Sequence, residues 1–221
     1  MTKSLSRLFV FIAVFIALLA LPAYSQIQQI DYIGFGWETG GFPASEVGDE
    51  LSFTGIVDYL DPGFEVDLVD YQMTFHVYGL LSQGEIDMGY WTMINYSGGY
   101  LEIYQDSNHN GDFGINPPNA TSPNSFVDGE LFFAGEFTDF VLFFTPDGNG
   151  SFEGNLNGIN GSMLESSCED CVYLWGGAFT WAASAQLIEG YDLQIDGALD
   201  VDAAVASEPT TWGSVKALYN D

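Results

Sequence analysis

The segment from Asp106 to Asp112 has the residue types and spacing of a metal-binding loop. Asp106, Asn108 and Asn110 offer side-chain oxygens at alternate positions, and Gly111 permits a sharp turn before Asp112. Calcium-binding loops combine alternating carboxylate and amide oxygens with such a glycine. The sequence therefore predicts calcium as a cofactor, with Asp106, Asn108, Asn110 and Asp112 as its ligands.

Over these seven residues the segment resembles the calcium loops of EF-hand and dockerin proteins. Those loops place an acidic bidentate ligand at position twelve, where this chain has Pro117. A calcium ion would need its missing ligand from elsewhere in the fold. The alternative is a solvated turn without an ion, because Asn, Asp and Gly favour turns by themselves.

Four tryptophans are candidates for stacking on a ligand. Trp37, Trp91, Trp175 and Trp181 all lie in predicted strands. An exposed indole presents a large apolar face together with a polar N–H, which suits the face of a sugar ring. Packing in the core is the alternative for each of them.

The two cysteines of the chain, Cys168 and Cys171, are separated by Glu169 and Asp170. A redox thiol needs nearby positive charge to stabilise its thiolate, and two acids do the opposite. The spacing therefore predicts a structural disulfide between Cys168 and Cys171 that closes a turn.

No arrangement of residues in the sequence predicts a catalytic site. His76 and His109 are the only histidines, and the chain lacks a Gly-x-Ser-x-Gly nucleophile motif. Paired carboxylates have no specificity here, because a chain with 31 acidic residues contains such pairs by chance. We predict no catalytic residue and favour a protein that is not an enzyme.

The charge of the chain limits its partners. Asp and Glu number 31 and Lys and Arg number 3, for a net charge of −28. This field repels nucleic acid and anionic membranes and attracts divalent cations. A glycan or another surface protein remains open as a partner, and life in high salt remains open as an explanation of the acidity.

Residues 1–25 have the features of a secretory signal peptide. Lys3 and Arg7 precede an apolar run, and Ala23-Tyr24-Ser25 follows as a small-residue processing site. Cleavage before Gln26 removes two of the three basic residues, so the mature charge becomes 1 − 31 = −30. We expect a secreted protein, located outside the cell, on its surface or in a periplasm.

The sequence pattern of residues 26–205 predicts one all-β domain. Apolar and polar residues alternate in short runs separated by turn residues, most clearly from Tyr191 to Asp202. About ten antiparallel strands are predicted, with 129–137 and 139–145 as separate strands. A β-sandwich, a jelly roll and a barrel all remain open.

Residues 206–221 form a distinct C-terminal tail in which Thr210 and Thr211 are expected to cap a short helix. The run Thr211-Trp212-Gly213-Ser214-Val215-Lys216-Ala217-Leu218-Tyr219 resembles an ending found on uncharacterised exported bacterial β-proteins. The resemblance implies a bacterial exported protein and a docking or sorting tag. The alternative is a helix that closes one end of the β-domain.

These features together predict an exported, acidic β-domain that acts as a non-catalytic binding, adhesive or structural module stabilised by calcium. The alternative is a carbohydrate-active enzyme or a sugar-binding module that uses carboxylates and tryptophans.

Overall fold

A computed structural model describes residues 27–114, 124–166, 171–181 and 187–203. The predicted signal peptide, Cys168 and the C-terminal tail lie outside these residues, so the predictions made for them stay predictions. The strands are β1 (Gln28–Glu38), β2 (Glu50–Leu60), β3 (Gln72–Asp87), β4 (Thr92–Ser97), β5 (Tyr100–Asp106), β6 (Glu130–Phe144), β7 (Asn149–Asn160), β8 (Cys171–Thr180) and β9 (Leu193–Ala203), and one short helix, α1 (Ser162–Ser166), follows β7. Within the described ranges, no helix has the length and apolar character needed to cross a membrane.

Eight of the strands form a closed antiparallel barrel, and β4 is an additional strand. The barrel order is β1, β2, β3, β5, β6, β7, β8 and β9, and β9 pairs with β1 to close it. Strand β4 lies end to end with β5, because both pair with β3 on one side and β6 on the other. The all-β prediction is confirmed, and of the three architectures left open the chain adopts the barrel.

Strand β6 is one continuous strand, whereas the sequence predicted two separate strands over residues 129–137 and 139–145. The register with β7 shifts between Phe137 and Asp139, so Thr138 forms an irregularity inside one continuous strand. The polar Thr138-Asp139 pair interrupts the apolar alternation, which is why the sequence suggested a break. The described residues form nine strands, where about ten were expected for the whole domain.

Strand β9 shows how the sequence determines the two faces of the barrel wall. Leu193, Ile195 and Leu199 are at most 2% exposed and face the interior. Gln194 and Asp196 alternate with them and face solvent. The predicted alternation over this segment is therefore confirmed.

Aromatic rings fill the middle of the barrel around Trp175, which is 1% exposed. Ring centroids of six neighbours lie 4.7 to 6.2 Å from the Trp175 ring: Tyr32, Phe53, Phe75, Phe137, Phe140 and Phe152. Inward-facing glycines make room for these rings. A Cβ on Gly154 would approach Phe140 to 2.7 Å and Phe137 to 2.8 Å, so a larger residue there would collide with the core.

The loop between β1 and β2 covers one end of the barrel. Phe42 of this loop packs against Phe144 and Trp181, with ring centroids 5.0 and 5.9 Å away. Beneath it, the buried Glu38 Oε1 accepts hydrogen bonds from the hydroxyl groups of Ser45 (2.6 Å) and Tyr96 (3.2 Å). Burial raises the pKa of Glu38 to about 7, against the opposing effect of these two hydrogen bonds.

Candidate functional site

The filled interior places any binding site on the outside of the barrel or on its loops. Eight-stranded barrels hold a small ligand only where their interior leaves space between side chains. Here the inward-facing rings over the described strands contact one another and are nearly inaccessible to solvent. The outward-facing residues are therefore the ones to consider.

The four tryptophans predicted as stacking residues occupy different environments. Trp175 belongs to the core, so a ligand on the outer surface does not reach it; it faces inward because its strand phase places it opposite Leu199 of β9. Trp181 is half-buried against Phe42 at the covered end. Trp91 is 47% exposed beside Tyr90 at the β3–β4 hairpin. Trp37 faces outward on β1 and is half-buried.

Trp37 begins a row of aromatic side chains on the outer wall, here called the aromatic strip and consisting of Trp37, His76, Tyr78 and Tyr100. Ring centroids along it are 6.4 Å apart from Trp37 to His76, 5.0 Å from His76 to Tyr78 and 5.6 Å from Tyr78 to Tyr100. The first two pairs are stacked, with interplanar angles of 12° and 27°, and the Tyr78–Tyr100 pair is tilted at 32°. The row crosses from β1 to β5 and ends at Tyr100, which is 37% exposed.

Cross-strand pairing of β3 with β5 positions the strip and a carboxylate beside it. Tyr78 pairs with Tyr100, and His76 pairs with Glu102. The two Glu102 oxygens accept hydrogen bonds from the hydroxyl groups of Tyr78 (3.0 Å) and Tyr104 (2.6 Å). Glu102 thus fixes the orientation of two tyrosine side chains on the outer wall.

Two members of the strip, His76 and Tyr78, are uncharged at neutral pH. Burial lowers the pKa of His76 to about 4, although the neighbouring Glu102 carboxylate acts in the opposite direction. Burial and the Glu102 carboxylate raise the pKa of Tyr78 to about 12. The strip therefore offers neutral rings and phenol hydroxyl groups, and Glu102 supplies the adjacent hydrogen-bond acceptor.

An open cleft of about 660 Å³ lies on the same wall of the barrel. Phe35 and Phe113 line its apolar part, and Gln194 and Asp196 contribute polar groups. Tyr191 joins the cleft to the strip, because its ring contacts both Phe35 (5.2 Å) and Trp37 (5.9 Å). Tyr191 itself is only 5% exposed, so the cleft and the strip are two neighbouring surface regions that pack against one buried ring.

Besides Trp37, the sequence contains a signal for the outward orientation of the other residues of the strip. His76 and Tyr78 occupy one phase of β3, and Tyr100 and Glu102 occupy one phase of β5. Each pair alternates with buried apolar residues, which predicts an outward orientation. The sequence does not reveal the register between β3 and β5, which places the two pairs side by side.

Three of the predicted calcium ligands take part in hydrogen bonds within the loop or with Asp128. Asp106 Oδ1 accepts a hydrogen bond from the Asn108 backbone N–H, and Asp112 Oδ1 accepts one from that of Gly114, both at 2.8 Å. Asn110 Nδ2 donates to Asp128 Oδ2 at 2.8 Å. In the described ranges, no group of three or more His, Cys, Asp or Glu side chains is placed to hold a metal ion. Calcium binding stays a prediction.

Cys171 begins β8 and pairs with Ala203 of β9. Its predicted disulfide partner, Cys168, is outside the described ranges, so the disulfide stays a prediction. The two histidines have different surroundings: His76 belongs to the aromatic strip, and His109 Nε2 lies 3.1 Å from the Asp70 carbonyl oxygen.

Comparison of the chain with models of known protein families, with curated proteins and with solved structures finds no match. The functional argument therefore rests on the geometry of the barrel and its outer wall.

Proposed function

We propose that this protein is an exported, non-catalytic module that binds neutral carbohydrate along the aromatic strip. The observation that carries the proposal is the row from Trp37 to Tyr100, with Glu102 fixing the hydroxyl groups next to it. Aromatic faces stack on the C–H face of a sugar ring, and carboxylate and phenol groups pair with sugar hydroxyl groups. The strip offers both kinds of contact on one wall.

The overall charge favours a neutral ligand. With a net charge of −28, the chain repels sulfated glycans and those rich in uronic acids. A neutral polysaccharide does not experience this repulsion. The strip itself contains no cation, since His76 is neutral above a pKa of about 4.

The position of Glu102 favours binding over hydrolysis. A glycosidase uses two carboxyl groups that flank the scissile bond and are free to transfer a proton or form a bond. Both oxygens of Glu102 accept hydrogen bonds from tyrosine hydroxyl groups, which suits a positioning role. The proposed function is therefore that of a binding module, and the enzyme alternative has less support.

A panel of immobilised neutral and anionic polysaccharides tests the ligand class. We expect the purified chain to be retained by one or more neutral polysaccharides and by no anionic one. Because stacking and hydrogen bonding to a neutral sugar involve no released counterions, retention should change little between low and moderate salt. Retention on anionic glycans, or on no glycan at all, would contradict the proposal.

A further inference from the structure

Asp106 has a buried carboxylate oxygen without a hydrogen-bond donor. The residue is 2% exposed, and Oδ1 accepts a hydrogen bond from the Asn108 N–H at 2.8 Å. Oδ2 is buried and has no hydrogen-bond partner among the described residues. A buried anionic oxygen without a partner is costly, so its presence points to a missing donor or cation.

A cleft of about 360 Å³ lies at this position and brings further oxygens to Asp106. Asn108, Asp128 and Glu130 line it together with Asp106. They meet because β5 ends at Asp106 where β6 begins, with Gln105 paired to Glu130. The residues therefore come from two strand ends that are adjacent in the barrel and distant in the sequence.

Gly129 permits this close approach of the two strand ends. A Cβ at this position would lie 2.6 Å from the carbonyl oxygen of Gln105 and 3.1 Å from Cβ of Asp106. The first distance is shorter than side chains tolerate against backbone. A residue other than glycine would separate Asp128 and Glu130 from Asp106.

We propose that a calcium ion binds in this cleft, with the carboxylates of Asp106, Asp128 and Glu130 and the amide oxygen of Asn108 as protein ligands. Asp128 and Glu130 replace the acidic ligand that the loop lacks at Pro117. Asp112 does not line this cleft, so it is not proposed as a ligand. This site is separate from the aromatic strip, so it does not rest on carbohydrate binding.

Closure of the site requires two exposed side chains to rotate. With the side chains in their present positions, no group of three His, Cys, Asp or Glu residues in the described ranges is placed to hold an ion. Both side chains are exposed, so their rotation does not disturb the core, although rotation of Asp128 breaks the hydrogen bond that its Oδ2 accepts from Asn110. Calcium accepts six to eight oxygens in flexible geometry and completes its shell with water, whereas magnesium demands a near-ideal octahedron. The cleft therefore suits calcium better than magnesium.

Terbium luminescence is the measurement that tests the site. Tb³⁺ substitutes for Ca²⁺ at oxygen sites, and Tyr71, which lines the cleft, is placed to transfer excitation to it. We expect tyrosine-sensitised Tb³⁺ emission from the purified chain. Calcium should displace Tb³⁺ and quench this emission at a lower concentration than magnesium does. The variants Asp128→Asn and Glu130→Gln should each weaken binding about tenfold, since each removes one ligand charge.

Asp112→Asn is the matched control. It removes the same charge from an exposed position of the same loop, and we expect Tb³⁺ and Ca²⁺ affinities to stay within about twofold of the parent. All three substituted residues are exposed, so circular dichroism should show the parent fold in each variant. An absence of sensitised emission, or a larger loss with Asp112→Asn than with Asp128→Asn, would overturn the assignment.

Discussion

Replacing Trp175 by Ala is expected to lower the free energy of unfolding by about 4 kcal/mol, the largest effect of any single substitution considered for this barrel. The indole is 1% exposed and is surrounded by the rings of the strands that form the barrel. Truncation removes its apolar contacts and leaves a cavity that close-packed neighbours fill only in part. Urea denaturation followed by circular dichroism measures the loss.

Trp91→Ala provides the matched control for the core substitution. Trp91 is 47% exposed at the β3–β4 hairpin, so its truncation should change stability by no more than about 0.5 kcal/mol. Equal effects of the two substitutions would mean that the barrel interior is not close-packed. Such a result would reopen the interior as a ligand site.

Replacing Glu38 by Gln is expected to stabilise the protein at pH 9 by about 2 kcal/mol and to change little at pH 4. Burial raises the pKa of this carboxyl from 4.5 to about 7. The neutral form is therefore favoured in the folded protein, and its contribution to stability is complete below the unfolded pKa. That contribution is lost as the pH rises from about 4.5 through about 7, because the folded protein must then bury the charge.

The pH dependence is measured as the difference in unfolding free energy between variant and parent from pH 4 to pH 9. The Glu38→Gln side chain would keep the acceptor oxygen for Ser45 and Tyr96 and remove the ionisation. The many other acids affect both proteins alike, so the difference isolates this site. Glu46→Gln, at an exposed position of the same loop, is expected to give a flat difference. A flat difference for Glu38→Gln as well would contradict the account of a buried, protonated carboxyl.

The alternation of residues predicted the strands better than it predicted their arrangement. β9 is recognisable because Leu193, Ile195 and Leu199 share one strand phase, which only Gly197 interrupts. The closure of the barrel depends instead on pairing between β1 and β9, for example Gln28 with Val201. Local periodicity contains no information about a contact across so much of the chain, and so sandwich and barrel could not be separated.

Strand phase explains why Trp175 lies in the core, where a ligand on the outer surface does not reach it. Trp175 is followed by Gly176 and Gly177, which break the apolar alternation, so the sequence does not show which way its indole points. The aromatic strip was missed for a different reason: its members come from β1, β3 and β5. Only the register between β3 and β5 places Tyr78 beside Tyr100.

The Asp106 loop shows how much a short motif can reveal. The spacing of Asp106 and Asn108 predicts a metal-binding loop at the end of β5, where the proposed calcium site lies. Pro117 stands where an acidic ligand is expected, so the motif by itself is incomplete. Asp128 and Glu130 lie more than twenty residues after Asp106 and carry no spacing signal. Their position in the cleft follows from the antiparallel pairing of β5 with β6.

Calorimetric titration of the best-retained neutral oligosaccharide tests the central claim most directly. The parent chain is compared with Tyr100→Ala, at the exposed end of the aromatic strip, and with Tyr59→Ala. Tyr59 is the matched control because it is a 47% exposed tyrosine on β2 whose hydroxyl also donates to a carboxylate, that of Asp61. We predict that Tyr100→Ala weakens binding about tenfold or more and that Tyr59→Ala leaves it unchanged. Unchanged binding by Tyr100→Ala, or an equal loss in both variants, would contradict the assignment of the binding surface.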